Sequence, residues 1–128
     1  MNKIQSDKFI HDLLRHGFLF NCENTEARLI QERRSLVKLK MKKDYLSRYN
    51  LAIRYMYIYF LGKGYDLQSD KVHVVFREFC LKFIGLNDIK ANKIIRQRHD
   101  YKYNRIIPDF GSAESLDFVL KLLQAYLD

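Results

Sequence analysis

The sequence has few residues that interrupt regular backbone structure. Its 128 residues include five glycines and one proline, and neither type occurs between Phe18 and Leu61. A β-sandwich requires a turn about every 8–12 residues and would lack turn-forming residues here, so long helices are favoured. Because 48% of the residues are hydrophobic and 30% are charged, a disordered chain is excluded and one core is expected.

Cysteine is also scarce, which argues against a disulfide-linked protein and against a zinc-binding protein. Cys22 and Cys80 are the only cysteines, and the four scattered histidines form no HxxxH pair. We therefore expect no zinc site, no other metal and no cofactor, and we interpret the cysteines as reduced thiols rather than one disulfide. The first eight residues lack the apolar run of a secretory signal, and no stretch approaches 18 apolar residues. These absences predict a cytoplasmic protein with no membrane contact.

Positive charge is in excess and is concentrated in two segments. The net charge is +8; residues 28–54 contain nine basic and two acidic residues, and residues 93–107 contain five basic and one acidic. Such segments favour a polyanionic partner, most simply nucleic acid. The alternative is a solvated surface that keeps a small protein in solution.

The spacing of apolar residues predicts one domain, residues 1–128, built only from helices. A period of three to four residues recurs in six segments, separated by polar caps or glycines. The predicted helices cover about residues 6–19, 25–43, 45–62, 70–84, 87–103 and 112–127, and the third could continue the second. Short connections predict an all-α, up-down antiparallel bundle of about five to six helices.

Residues 55–61 are apolar or aromatic on nearly every side of the third predicted helix. A helix with this pattern is buried on several sides. It forms either the centre of the bundle or part of a surface between copies of the chain.

The fifth predicted helix carries the one compact group of polar residues, 96–103. Arginine matches phosphate geometry well, which makes Arg96 and Arg98 candidate phosphate ligands. His99 could move a proton near neutral pH. On an ideal helix Arg98 and Tyr103 point about 140° apart, so they would converge only near a frayed end or across a dimer axis. The alternative is a solvated network of ion pairs.

Four segments together resemble a small protein of the HEPN family (higher eukaryotes and prokaryotes nucleotide-binding). In that family a helix of the RYNLAYxA kind ends in xxGY, a histidine opens the next helix, and a later helix carries RxxRNxxxY or RxxxxxH. The matching segments, in the same order and helical context, are residues 47–54 (SRYNLAIR), 62–65 (GKGY), 70–73 (DKVH) and 96–103 (RQRHDYKY). The resemblance covers about residues 25–127.

The resemblance implies a four- or five-helix bundle that forms a homodimer. Many members are metal-independent ribonucleases, often toxins or antiviral effectors, with arginine and histidine from both subunits in a cleft on the dimer axis. Others pair with a small nucleotidyltransferase, which would act here as an antitoxin, and some are inactive scaffolds. By resemblance, the catalytic candidates are Arg98, His99 and Tyr103, and His73 is interpreted as structural.

The sequence departs from the family motif at the position of the catalytic histidine. Tyr103 occupies the position of the motif histidine, and a phenol with a pKa near 10 is a poor general base at pH 7. Phosphate binding therefore transfers to Arg98 better than cleavage does, although His99 could supply a displaced base. Further candidates for contact with a nucleic-acid backbone are the basic residues Arg96, Lys102, Lys38, Lys40, Lys42 and Lys43.

Three functions are compatible with these features. The first is binding of RNA or a nucleotide phosphate, with ribonuclease activity left open because the motif is degenerate. The second is a non-catalytic module that docks a protein, for example a small nucleotidyltransferase. The third is a helical DNA-binding protein without the HEPN dimer.

Overall fold

The computed structural model describes residues 2–128, and most of them are helical. The α-helices are α1 (Lys3–Arg15), α2 (Thr25–Lys40), α3 (Tyr45–Gly62), α4 (Val72–Phe79), α5 (Asp88–Asn104) and α6 (Phe110–Leu127). Two short strands, β1 (Leu19–Asn21) and β2 (Tyr65–Leu67), pair antiparallel with Leu19 opposite Leu67. None of the helices in this part of the chain is long and apolar enough to cross a membrane. The predicted all-α helical bundle is confirmed, and the small sheet is an addition to it.

Side-chain caps determine where several helices begin. Asn2 caps α1 by accepting a hydrogen bond from the backbone N–H of Gln5 at 2.9 Å, so this helix starts before the predicted residue 6. Asp109 caps α6 by accepting from the N–H of Ser112 at 2.7 Å. The last helix therefore begins at Phe110 and not at residue 112. In both cases a polar residue ahead of the predicted start supplies the cap, and the helix begins directly after it.

The breaks between helices also differ from the expectation at three places. Helix α1 ends at Arg15, ahead of Gly17, which adopts a φ of +73° that suits glycine. Helix α2 ends at Lys40 rather than at the predicted residue 43, and residues 41–44 are not helical, so the second and third helices are separate as predicted. The predicted helix 70–84 consists of a 3₁₀ turn (Ser69–Lys71), α4 and a π-helical turn (Cys80–Ile84).

Helix α3 lies at the centre of the bundle. It packs against α2, α4, α5 and α6. Each residue from 55 to 61 is at most 8% exposed, and all belong to one connected hydrophobic core. The first of the two interpretations of this segment is therefore correct, because these side chains are covered by the chain itself. They supply no surface for a second copy.

Both cysteines are free thiols. Cys80 is buried in the core, and burial raises the pKa of its thiol to about 12. A thiol of that kind stays protonated at neutral pH and is a poor nucleophile. Cys22 is half-buried and packs against the core.

Candidate functional site

Arg98 takes a position on α5 that otherwise faces the core. Ala91 and Ile94 are buried against the bundle, and Arg98 follows Ile94 after one turn on the same side of the helix. Its side chain is consequently half-buried between α5 and α3. Lys102 follows one turn later on the same face and is exposed. The fold thus holds one cation in place and sets a second beside it at the surface.

The ring of Tyr49, from α3, supports the Arg98 side chain. Tyr49 is fully buried, and the guanidinium carbon of Arg98 lies 5.6 Å from the centre of its ring. Phe76 of α4 meets the same ring edge-on, with the ring centres 5.1 Å apart. A cation over an aromatic face is attracted by the ring quadrupole. Tyr49 therefore fixes the guanidinium without neutralising it.

No carboxylate neutralises Arg98 within residues 2–128. Its Nε is buried and has no hydrogen-bond partner there, and the side chain forms no ion pair. Buried polar groups in folded proteins are nearly always satisfied, so such a group calls for a functional or structural explanation. A planar, partly desolvated guanidinium with a free donor is well suited to bind an anion.

His73 completes this group from the start of α4. Its Nδ1 lies 2.8 Å from the phenol oxygen of Tyr49. Burial lowers the pKa of His73, and the charges of Arg98 and Lys102 lower it further. The imidazole is therefore neutral at pH 7. We call Tyr49, His73, Arg98 and Lys102 the Arg98 cluster.

The other catalytic candidates lie on an adjoining, more exposed face of α5. The rings of His99 and Tyr103 are 4.8 Å apart, and Tyr103 is 59% exposed. The ammonium of Lys102 lies 5.2 Å from the centre of the Tyr103 ring, which makes this pair a neighbour of the Arg98 cluster. No side-chain hydrogen bond joins His99 to Arg98 within residues 2–128. The His99–Tyr103 pair forms an exposed aromatic surface beside the cluster.

The remaining basic candidates are not part of the Arg98 cluster. Arg96 is exposed on the side of α5 opposite Arg98. Three lysines near the end of α2 are exposed, whereas Lys40 donates to Asp128 at 3.0 Å. These three are Lys38, Lys42 and Lys43. Lys42 and Lys43 line a surface groove with residues of α3 and α6.

The partnership of Tyr49 with His73 and Arg98 was not predicted. His73 was interpreted as structural and Tyr49 as part of a motif, because nothing in their spacing says which helices pack together. One indication was present in the sequence. Arg98 continues the apolar stripe of Ala91 and Ile94, and an arginine in such a position requires an unusual neighbour.

Chemically, the cluster offers cationic and neutral N–H donors and no carboxylate. Within the described chain, no group of three or more histidine, cysteine, aspartate or glutamate side chains is placed to hold a metal ion. No protein-family model, curated protein or solved structure matches this chain.

Proposed function

We propose that this chain binds RNA or a nucleotide through a phosphate held by Arg98 and Lys102. The observation that carries the proposal is the free, half-buried guanidinium of Arg98, whose buried Nε has no partner within residues 2–128. Charge-assisted hydrogen bonds to phosphate are about twice as strong as neutral ones. Such an anion would offset the charges of Arg98 and Lys102, which no carboxylate of residues 2–128 neutralises.

The neighbouring aromatic pair favours a nucleotide over a free phosphate. Single-stranded nucleic acids are bound by cationic side chains on the backbone and by aromatic rings that stack on the bases. Tyr103 is exposed, packs on His99 and lies beneath Lys102. A phosphate at Lys102 would place an attached nucleoside within reach of that ring.

Phosphate binding depends on the cations alone, whereas cleavage also requires a group that moves a proton at the phosphate. His99 lies about 100° around α5 from Arg98 and packs on Tyr103, so it does not share the face of the guanidinium. We therefore propose binding. The resemblance to HEPN proteins agrees with RNA or nucleotide binding. A role as a toxin or defence protein paired with a nucleotidyltransferase antitoxin is a proposal from that resemblance alone.

Fluorescence anisotropy with a labelled single-stranded RNA at low salt tests the proposal. Arg98→Ala should weaken binding about ten- to hundredfold, since it removes a charged contact worth roughly 1.5–3 kcal/mol. Arg98→Lys should restore only part of the affinity, because lysine lacks the planar, forked guanidinium group. The matched control is Arg33→Ala on the exposed side of α2. Equal affinity of Arg98→Ala and the parent, or no binding by the parent, contradicts the proposal.

We also propose a homodimer, and the end of α5, the loop after it and the start of α6 support it. Tyr103, Ile106, Ile107 and Phe110 are each more than half exposed within eight residues of sequence. Apolar side chains gathered in this way are typical of protein interfaces. Light scattering should give twice the 15.4 kDa chain mass at high micromolar concentration. A clean monomer at that concentration would exclude a site shared between subunits.

A second candidate function, protein docking, is favoured by the outer face of α2. Ile30, Val37 and Met41 lie along one side and are 55%, 66% and 82% exposed. Among and beside them lie three basic side chains that form no ion pair within residues 2–128, Arg33, Arg34 and Lys38. Glu26 is the acidic residue in the first turn of α2. An apolar line with a basic border complements an acidic amphipathic helix better than a nucleic-acid backbone.

Selection from a displayed library of acidic amphipathic peptides tests the docking function. Enriched peptides should lose binding to Val37→Glu and keep it for Arg98→Ala, since the two sites are on different helices. Failure to enrich any peptide, or equal binding to Val37→Glu, rules out this surface as the docking site.

A further inference from the structure

The Tyr49–His73 pair gives the candidate site a group that can change charge. Tyr49 is completely buried, and burial raises its pKa well above the ordinary value, so the phenol keeps its proton. Its oxygen is 2.8 Å from Nδ1 of His73, and the two rings are 5.7 Å apart. His73 is thereby oriented with Nδ1 toward the buried phenol, and its Nε2 has no hydrogen-bond partner within residues 2–128.

Two cations of α5, Arg98 and Lys102, lower the pKa of His73, and the neighbour from α3 is the hydroxyl of Tyr49, which keeps its proton. No carboxylate of residues 2–128 forms an ion pair with His73. Protonation of His73 would add a third positive charge, so it is disfavoured while the site holds no anion. A bound dianion would instead favour the protonated imidazole.

We propose that His73 is the proton-linked third member of the phosphate site: when a dianionic oxyanion binds at Arg98 and Lys102, the imidazole takes up one proton from solvent. This inference rests on the proposed function, because the anion is the one that Arg98 and Lys102 hold. It adds a residue and a direction of pH dependence that the phosphate contacts alone do not provide.

The proton count is the same for either neutral tautomer of His73. One ring nitrogen already carries hydrogen, and the proton from solvent adds to the other. The imidazolium then donates Nδ1–H to the phenol oxygen of Tyr49 and has Nε2–H free for the anion. Tyr49 accepts this bond through its oxygen lone pair and keeps its own proton. It acts as a positioning residue.

Thermodynamic linkage gives the size of the effect. We expect the midpoint of the His73 titration to rise by about one pH unit when the anion saturates the site. Affinity for the anion should then be about tenfold higher below both midpoints than above both. Without proton uptake, affinity would be independent of pH across the same range.

The test follows the histidine ring signals by NMR in the intact protein, with sodium sulfate as the probe. Sulfate remains a dianion across the pH range, whereas phosphate itself titrates near pH 7. Sodium chloride at equal ionic strength is the control for screening. The exposed His11 of α1 provides an internal reference in the same spectra. The His73 midpoint should rise in sulfate relative to its value in chloride.

Two variants separate this inference from the phosphate site itself. Arg98→Gln should raise the His73 midpoint without sulfate, because it removes a neighbouring charge, and should abolish the response to sulfate. Tyr49→Phe should reduce the sulfate-induced rise, because the imidazolium loses its acceptor. If the Arg98 Nε–H signal responds to sulfate and the His73 midpoint stays fixed, the proton linkage is wrong and the anion site stands. If neither signal responds, the anion site is wrong as well.

Discussion

Two tyrosine rings of helix α3 each lie against arginine side chains, and the arginines are satisfied in opposite ways. Near the end of the helix, Arg54 lies 4.8 Å from the centre of the Tyr57 ring and donates to both carboxylate oxygens of Glu32 at 3.1 Å. Near its start, Arg98 lies 5.6 Å from the Tyr49 ring centre and binds no carboxylate of residues 2–128. The same aromatic support is thus used with and without a counter-ion.

The paired region forms a closed network. Glu32 is 2% exposed and also accepts from Arg28 at 3.1 Å, while Nε of Arg28 donates to Asp66 at 3.2 Å. We call Arg28, Glu32, Arg54 and Asp66 the Glu32 network. Its two cations and two anions neutralise each other, so it joins α2, α3 and β2 and has no charge left for a ligand. The Arg98 cluster contains cations and no carboxylate. We therefore assign a stabilising role to the Glu32 network and a binding role to the Arg98 cluster.

Removal of the Glu32 charge should have the largest effect on stability. Glu32→Gln leaves Arg28 and Arg54 facing a neutral amide, and breaking a buried ion pair costs about 3–5 kcal/mol. We expect about 3 kcal/mol, because the two arginine side chains are 27% and 34% exposed. Urea denaturation measures the change, with Glu26→Gln in the exposed first turn of α2 as the control. A loss similar to that of the control would mean that the network does not stabilise the fold.

The two arginines should differ in the same assay. Arg54→Ala should reduce the free energy of unfolding by about 2 kcal/mol, because it removes hydrogen bonds to a buried carboxylate. Arg98→Ala should cost about 1 kcal/mol or less, since only packing and a cation–π contact are lost. If Arg98→Ala proves the more destabilising of the two, Arg98 is a structural residue and the comparison fails.

The salt dependence of RNA binding should single out the Arg98 cluster. Each cation on a single-stranded backbone contributes a slope of about 0.7 in a plot of log affinity against log salt concentration. Lys102→Ala should therefore lower the slope by about that amount, and Lys40→Ala should leave it unchanged because Lys40 is paired with Asp128. Titrations at four salt concentrations give both slopes. Identical slopes for Lys102→Ala and the parent would mean that Lys102 does not contact a phosphate of the RNA backbone.

The pH dependence of stability should show the smallest effect. The pKa of His73 is lowered in the folded state, so the unfolded chain, with an ordinary value of about 6.5, binds the proton first as pH falls. Stability is therefore complete above pH 6.5 and declines as pH drops toward the folded-state midpoint. His73→Asn should flatten this decline. Urea midpoints measured in chloride buffers from pH 7.5 downward test it, and parallel curves for variant and parent would contradict it.

Much of the fold was predictable because apolar spacing reports which faces are buried. The long α3 and its burial follow from residues 45–62, where neither glycine nor proline interrupts the helix before Gly62. Boundaries were less predictable where the capping residue lies ahead of the apolar pattern, as Asn2 does for α1. Three-residue strands such as β1 and β2 are too short for an alternating pattern, and their pairing joins distant parts of the sequence.

The candidate site was predictable in part. Arg98 was selected because arginine suits phosphate and because its segment resembles a family motif. That Tyr49 and His73 would meet it depends on how α3, α4 and α5 pack, which local spacing does not specify. The ion pairs that distinguish Arg54 from Arg98 are likewise tertiary, since Glu32 lies on another helix. Sequence identified the residue types, and packing decided which of them remain unpaired.

The most direct test observes both regions in one sample. In a ¹⁵N-labelled protein titrated with inorganic phosphate, the Nε–H signal of Arg98 should shift and saturate, because that donor has no hydrogen-bond partner within residues 2–128. The Nε–H signal of Arg28 should stay in place, because it already donates to Asp66. Equal shifts of the two signals, or a stationary Arg98 signal at saturating phosphate, would contradict the assignment of anion binding to the unpaired arginine.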